Sequence, residues 1–251
     1  MTEIIVSKEN QIATLTLNRP EKRNALNDAL INLLKTSLIE ADADENLRAI
    51  VIRGAGKDFC SGADLSALQK IAGSDVLENL WDAENLSELF LLIRKIKIPV
   101  IAAVQGRALA GGCGLATACD IVLAAESARF GYPEVKIGFV PAMVMAILRR
   151  NLSEKRAFEL TTQGFEFSAE AAERIGLINR VFADETFETG AQNYVSVYEK
   201  VSRSAVILSK KLLYQMDGMN FQTALETGAE VNTIARLTKD CQNGIAGFFE
   251  K

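Results

Sequence analysis

"ALAGGCGLATACD" spans Ala108–Asp120. Before it runs "PVIAAVQG" (Pro99–Gly106), a short apolar stretch opened by proline; "DIVLAA" (Asp120–Ala125) follows. Continuous apolar runs of this length fit strands covered on both faces. Between them a helix starts near Gly111–Leu115. A strand, a glycine turn and a helix start leave backbone N–H groups unpaired at a helix N-terminus, backed by the helix dipole. Glycine lets a ligand approach such a backbone closely. The stretch fits neither G-x-G-x-x-G nor a P-loop ending in Gly-Lys-Ser/Thr. Two readings stay open: an oxyanion-binding turn, or close helix–strand packing and nothing more.

Outward from this turn the chain alternates strands and helices. "IATLTLN" (Ile12–Asn18) places Ala13, Leu15 and Leu17 on one face, as a half-buried strand does. "RPEKRNAL" (Arg19–Leu26) is a polar loop. Asn27 is positioned to cap a helix whose buried face is expected to carry Leu30, Leu33, Leu34, Leu38 and Ala41. "RAIVIRG" (Arg48–Gly54) is a strand and "AGKDFCSGAD" (Ala55–Asp64) a turn-rich loop. Val76–Lys97 reads as one long amphipathic helix, its basic end "RKIK" (Arg94–Lys97) suiting a helix C-terminus. "RFGYPEVKIGFVP" (Arg129–Pro141) is loop and strand. From Met143 onward the pattern is helical apart from "GLINRVF" (Gly176–Phe182). The expected class is α/β, with helices appended at the C-terminal end. No internal repeat is visible in the residues.

Composition narrows the chemistry. The chain has 251 residues, 49% hydrophobic and 24% charged, enough for a sizeable core. Its net charge of -4 and pI of about 5.2 argue against nucleic acid as a partner. No apolar run reaches the roughly 18 residues of a membrane span, and "MTEIIVSKEN" lacks the features of a signal peptide. Cys60, Cys113, Cys119 and Cys241 show no metal-binding spacing and read as small thiols in a reducing cytoplasm; no metal site is expected. Histidine is absent altogether. That removes Ser-His-Asp and Cys-His pairs and imidazole metal sites. Acid–base work must fall to carboxylates, Lys, Tyr or Cys.

"FCSGADL" (Phe59–Leu65) is a second glycine turn between a strand and a helix. Two such turns can each aim one N–H at a single oxygen. "FGYPE" (Phe130–Glu134) adds a carboxylate in apolar surroundings, where its pKa rises and it can shuttle protons.

Together "NRPEKRNALN", "FCSGADL", "PVIAAVQGRALAGGCGLATACDIVLAAESARFGYPEVKIGFVP" and "AAERIGLINRV" resemble the enoyl-CoA hydratase/isomerase (crotonase) superfamily, in order and over essentially the whole chain. The resemblance implies a core of repeated ββα units over residues 1–195. It implies a C-terminal helical region, 196–251, that drives assembly into a homotrimer or a hexamer, a dimer of trimers. Phe221, Leu225, Ile234, Phe248 and Phe249 supply apolar positions for that contact. The resemblance implies an acyl-CoA substrate and no other cofactor, coenzyme A arriving with the substrate. By position, the N–H groups of Ala63 and Gly111 form the oxyanion hole and Glu134 is the acid–base. Lys22, Arg23 and Ala25 fall on the CoA loop, with Asp64 and Leu65 near the adenine. Lys251 is a candidate for a neighbouring subunit's CoA phosphate.

Two departures bear on the reaction. Hydratases of this family carry a second glutamate after "GGC"; here that position is Gly114. A glycine-rich turn after "GFVP" is replaced by "AMVM", where Met143 reshapes the acyl pocket. Hydration of a 2-enoyl-CoA, including a branched or carboxylated one, is the first expectation. Water held in the space left at Gly114, or the substrate's own carboxylate, would then serve in place of the second glutamate. The alternative is a Δ3,Δ2-enoyl-CoA isomerase with Glu134 as sole base. A third is a CoA-binding subunit without catalysis. Glu78, Glu84 and Glu88 lie on the long helix flanking the pocket.

Overall fold

The computed structural model describes residues 2–249; Lys251 lies outside the described residues, as do the side chains of Leu65 and Phe248. In chain order the elements are β1 (Ile4–Glu9), β2 (Ile12–Leu17), α1 (Asp28–Ala43), β3 (Ala49–Gly54), α2 (Leu65–Gly73), α3 (Val76–Lys95), β4 (Val100–Val104), β5 (Arg107–Leu109), α4 (Gly111–Ala118), β6 (Ile121–Ala125), β7 (Arg129–Gly131), α5 (Ala142–Asn151), α6 (Glu154–Gln163), β8 (Glu166–Ser168), α7 (Ala169–Arg174), β9 (Arg180–Phe182), α8 (Phe187–Val195), α9 (Val197–Lys200), α10 (Arg203–Gln215), α11 (Phe221–Arg236) and α12 (Lys239–Phe249). Short 3-10 turns interrupt the loops, among them Pro20–Lys22 and Pro133–Ile137.

Six strands form one sheet in the order β1-β2-β3-β4-β6-β9, parallel except for the β1–β2 hairpin. Alternation decides which face each residue takes. Ile50, Ile52, Val100, Ala102, Val104, Val122 and Ala124 join the main core under α1, α3 and α4. Ala49, Ile101, Ala103, Leu123 and Ala125 face the other way and pack on Phe187, Ala191 and Val195 of α8. That two-sided cover explains why β4 and β6 read as continuous apolar runs.

A second sheet, β5-β7-β8, stands beside the first. One-residue bridges extend its pattern: Cys60 pairs with Ala108, and Leu26 with Ala63. Each long parallel strand from β2 to β6 is thus followed by a short strand or a bridge and then by helix. This is the ββα repeat, carried by backbone pairing and invisible as residue identity.

Differences from the sequence reading are local. Asn27 caps α1 by accepting the Leu30 N–H at 2.8 Å, but Leu33 is exposed and Ile31 takes its place in the core. β1 and β8 form from stretches with weak alternation, because each is an edge strand needing only one partner. α3 buries only its second half, through Leu89, Phe90 and Ile93, while Val76, Leu77, Leu80 and Trp81 stay exposed. No described helix is long and apolar enough to cross a membrane.

Candidate active site

The second sheet assembles the site. Cys60, Ala108 and Phe130 lie side by side in parallel register. The three chains therefore leave the sheet at the same end. Ala63 follows Cys60 by three residues, Gly111 follows Ala108 by three, and Glu134 follows Phe130 by four. Residues distant in sequence converge because their strands are in register.

The two glycine turns pack directly on each other. Gly62 adopts φ +96, and a Cβ there would stand 2.8 Å from the Ala110 Cβ, 3.0 Å from the Leu109 carbonyl oxygen and 3.6 Å from the Gly111 nitrogen. A Cβ on Gly112 would come within 2.3 Å of the Cys60 carbonyl oxygen. Only glycine permits backbones this close. In the Leu26–Ala63 bridge, the Leu26 N–H donates to the Gly62 carbonyl and the Asp64 N–H donates to the Leu26 carbonyl. Strand alternation then turns the Ala63 N–H away from Leu26. Gly111 opens α4, where the helix gives its first N–H groups no partner. Ala110 before it holds a left-handed φ of 49, a strained conformation for alanine. Its N–H donates to the Gly131 carbonyl at 2.8 Å, which ties the turn to the strand that leads to Glu134.

Glu134 sits in the 3-10 turn Pro133–Ile137. Its Oε2 is buried without a hydrogen-bond partner, and burial raises its pKa. A carboxylate so placed, its proton held more tightly than in water, can both accept and return a proton. The adjoining Tyr132 is fully buried, with its hydroxyl 3.3 Å from the Thr117 Oγ1. Burial pushes the Cys113 thiol up to about 12, so it stays neutral beside Glu134. Cys60 is likewise held near 12.

Gly114 is enclosed by hydrocarbon. A Cβ there would lie 2.6 Å from Val144 Cγ1 and 2.9 Å from Phe90 Cζ. The expected water-holding space does not exist, because a ring and a branched side chain occupy it. Val144 belongs to the "AMVM" stretch already expected to reshape the pocket, whereas Phe90 is the neighbour that sequence reasoning missed. The change from Glu to Gly was visible, but the residues that fill the gap come from other helices. Met143, half-buried beside Val144, packs against the core and lines a neighbouring cavity.

Elsewhere the residues separate by role. Lys22 and Arg23 are exposed on the 19–26 loop, while Ala25 is buried with its carbonyl accepting Arg19 Nη1 at 2.6 Å. Asn24 fixes the loop, donating to the Ala55 and Asp58 carbonyls and accepting the Arg19 N–H. Asp64 is buried; it accepts the Ser66 N–H to cap α2 and pairs with Arg19 at 2.7 Å. Those partners hold its pKa down. Both of its oxygens thus build the turn, a structural role that leaves the backbone of the turn to face the site. Leu65 is the first residue of α2. None of the α3 glutamates reaches the site: Glu78 completes a capping box, Glu84 is exposed and Glu88 pairs with Lys35.

An enoyl-CoA hydratase/isomerase family model matches residues 7–251. The 2,3-dehydroadipyl-CoA hydratase of Escherichia coli is 34% identical over 252 residues, covering 100% of this chain and 97% of that protein. A crystal structure of an enoyl-CoA hydratase from Mycobacterium smegmatis superposes with a TM-score of 0.95 at 30% identity, over 100% of this chain and 97% of that one. An enoyl-CoA hydratase from Bacillus anthracis gives 0.92 at 29%, over 99% and 96%.

Proposed function

The chain belongs to the enoyl-CoA hydratase/isomerase family and is an acyl-CoA enzyme, and from that premise we propose that it hydrates a 2-enoyl-CoA with Glu134 as its sole carboxylate. One observation carries this reading: Glu134 Oε2 is buried and unpartnered at the end of the sheet where the Ala63 and Gly111 turns meet. The thioester oxygen sits on the two N–H groups, which stabilise negative charge as it develops. Glu134 takes a proton from water while the water oxygen bonds to C3. The C2–C3 π electrons shift onto the thioester as an enolate. Glu134 then returns the proton to C2, and water has been added across the double bond. Lys22, Arg23 and Ala25 line the path of CoA, Leu65 lies on its adenine side, and Met143 shapes the acyl end.

A second reading draws on the hydrocarbon around Gly114. With no second carboxylate to orient water, the same enolate serves Δ3,Δ2 isomerisation: Glu134 removes a proton from C2 of a 3-enoyl thioester and returns it at C4. Product analysis separates the two. Hydration predicts 3-hydroxyacyl-CoA from trans-2-hexenoyl-CoA. Isomerisation predicts 2-enoyl-CoA from trans-3-hexenoyl-CoA, with no hydroxyacyl product from either. Absence of turnover on every enoyl-CoA tried, with binding retained, would leave the non-catalytic CoA-binding subunit.

The same proposal takes residues 1–195 as the catalytic core and 196–251 as the region that forms a homotrimer or hexamer. Phe221, Leu225 and Ile234 support it, exposed on α11 at 81%, 60% and 54%. A cytoplasmic location is supported by four free cysteines, three of them buried. CoA is carried by the substrate, and no other cofactor is part of the proposed reaction.

A further inference from the structure

Leu86, Phe90 and Arg94 are four residues apart on α3 and share one face. Leu86 lies 3.6 Å from where a Cβ on Gly111 would stand, and Phe90 abuts Gly114. Arg94 reaches a cavity of about 590 Å³ that Thr117 and Ala118 of α4 also line. Thus α3 tracks α4 away from the oxyanion turn. Arg94 is two turns beyond Leu86, about 12 Å along the helix. Phe90 and Met143 form the near wall of the cavity, so it begins where the enclosed Gly114 ends.

The cavity has an apolar side and a charged end. Ile147 and Leu213 line the first. At the second, Arg94 Nη2 and Arg150 Nε converge on one oxygen of Asp217, at 2.6 and 2.7 Å. Two guanidiniums share a single carboxylate, which leaves one positive charge uncompensated. The other charged groups nearby cancel: Lys210 and Asp120 pair at 2.6 Å. Arg94 is held rigidly, stacked 4.0 Å over the Tyr214 ring, and Arg150 also donates to the Ala146 carbonyl. A planar, preorganised guanidinium pair suits a carboxylate.

We propose that this cavity is a subsite for a distal carboxylate, and that the preferred substrate is the CoA thioester of a linear dicarboxylic acid, its methylene chain passing Phe90 and Met143 and its free carboxylate meeting Arg150 and Arg94. The inference rests on the reading that the thioester occupies the Ala63 and Gly111 turns. Asp217 then acts as a specificity element, holding the arginines in place while lowering their charge.

Calorimetric titration tests this without requiring turnover. The probes are the saturated CoA thioesters of hexanedioic, octanedioic, hexanoic and octanoic acid. At least one diacid thioester binds tenfold or more tightly than the monoacid of equal length. Arg150→Gln brings that ratio within threefold of one. Asp217→Asn moves it the other way by freeing both guanidiniums, a gain that a misfolded variant cannot produce. Equal or weaker binding of both diacids, or a ratio unmoved by Arg150→Gln, overturns the proposal. If neither class of thioester binds, the placement of CoA fails and the subsite with it. If the diacid preference holds while no enoyl-CoA is turned over, the catalytic reading alone fails.

Discussion

At the residue scale the account turns on Glu134. Burial raises its carboxyl pKa above the ordinary 4.5. Above that value the unfolded chain has lost the proton that the folded chain still holds, so stability falls as pH rises through the folded pKa. Glu134→Gln carries no such loss. Thermal unfolding followed from pH 4 to pH 8 is expected to show the variant gaining on the parent as pH rises, then holding a constant lead. Equal melting temperatures across the range would mean that the carboxylate is solvated and the site is not as described. The buried setting of Glu134 was legible from "FGYPE", because a carboxylate in an apolar segment stands out. Asp64 was harder to place: its partner Arg19 lies 45 positions away, and no local pattern announces that pair.

At the scale of elements, strand register does what sequence motifs only suggest. Cys60, Ala108 and Phe130 align, and the three turns follow. Periodicity revealed β2, β4 and β6 because burial dictates their side chains. It missed the bridges and β8, whose pairing is made by backbone atoms that every residue has. The packing of α3 and α5 on α4 was equally hidden. Gly114→Glu does not restore a second acid, since its side chain must displace Val144 and Phe90. It is expected to lower stability by at least about 1–3 kcal/mol, the usual cost of overpacking a core, with the cost of burying a carboxyl among hydrocarbon on top, and with no gain in hydration rate. Chemical denaturation and steady-state kinetics check the two halves. A stable, faster Gly114→Glu enzyme would show that the helices part easily.

At the scale of the whole molecule, the C-terminal helices carry a share of the exposed apolar surface. Phe221 at 81% and Leu225 at 60% exposure are large side chains on one helix, four residues apart. Light scattering is expected to give three or six times the 27.3 kDa chain mass, and Phe221→Glu with Leu225→Glu to reduce it. A monomeric parent chain would contradict the assembly. Lys210 ties α10 into the core through the Ile93 and Ile98 carbonyls and Asp120. α10 is therefore fixed to α3 and the main sheet, a link that the helical pattern alone did not disclose.

The central claim is that one carboxylate moves the proton on a thioester enolate held by two backbone N–H groups. Mass spectrometry of trans-2-hexenoyl-CoA in heavy water tests it most directly, with the parent enzyme and Glu134→Gln run side by side. The account predicts gain of one heavy-water molecule by the parent, including deuterium at C2, and no gain by the variant. Full deuterium incorporation by Glu134→Gln would contradict it.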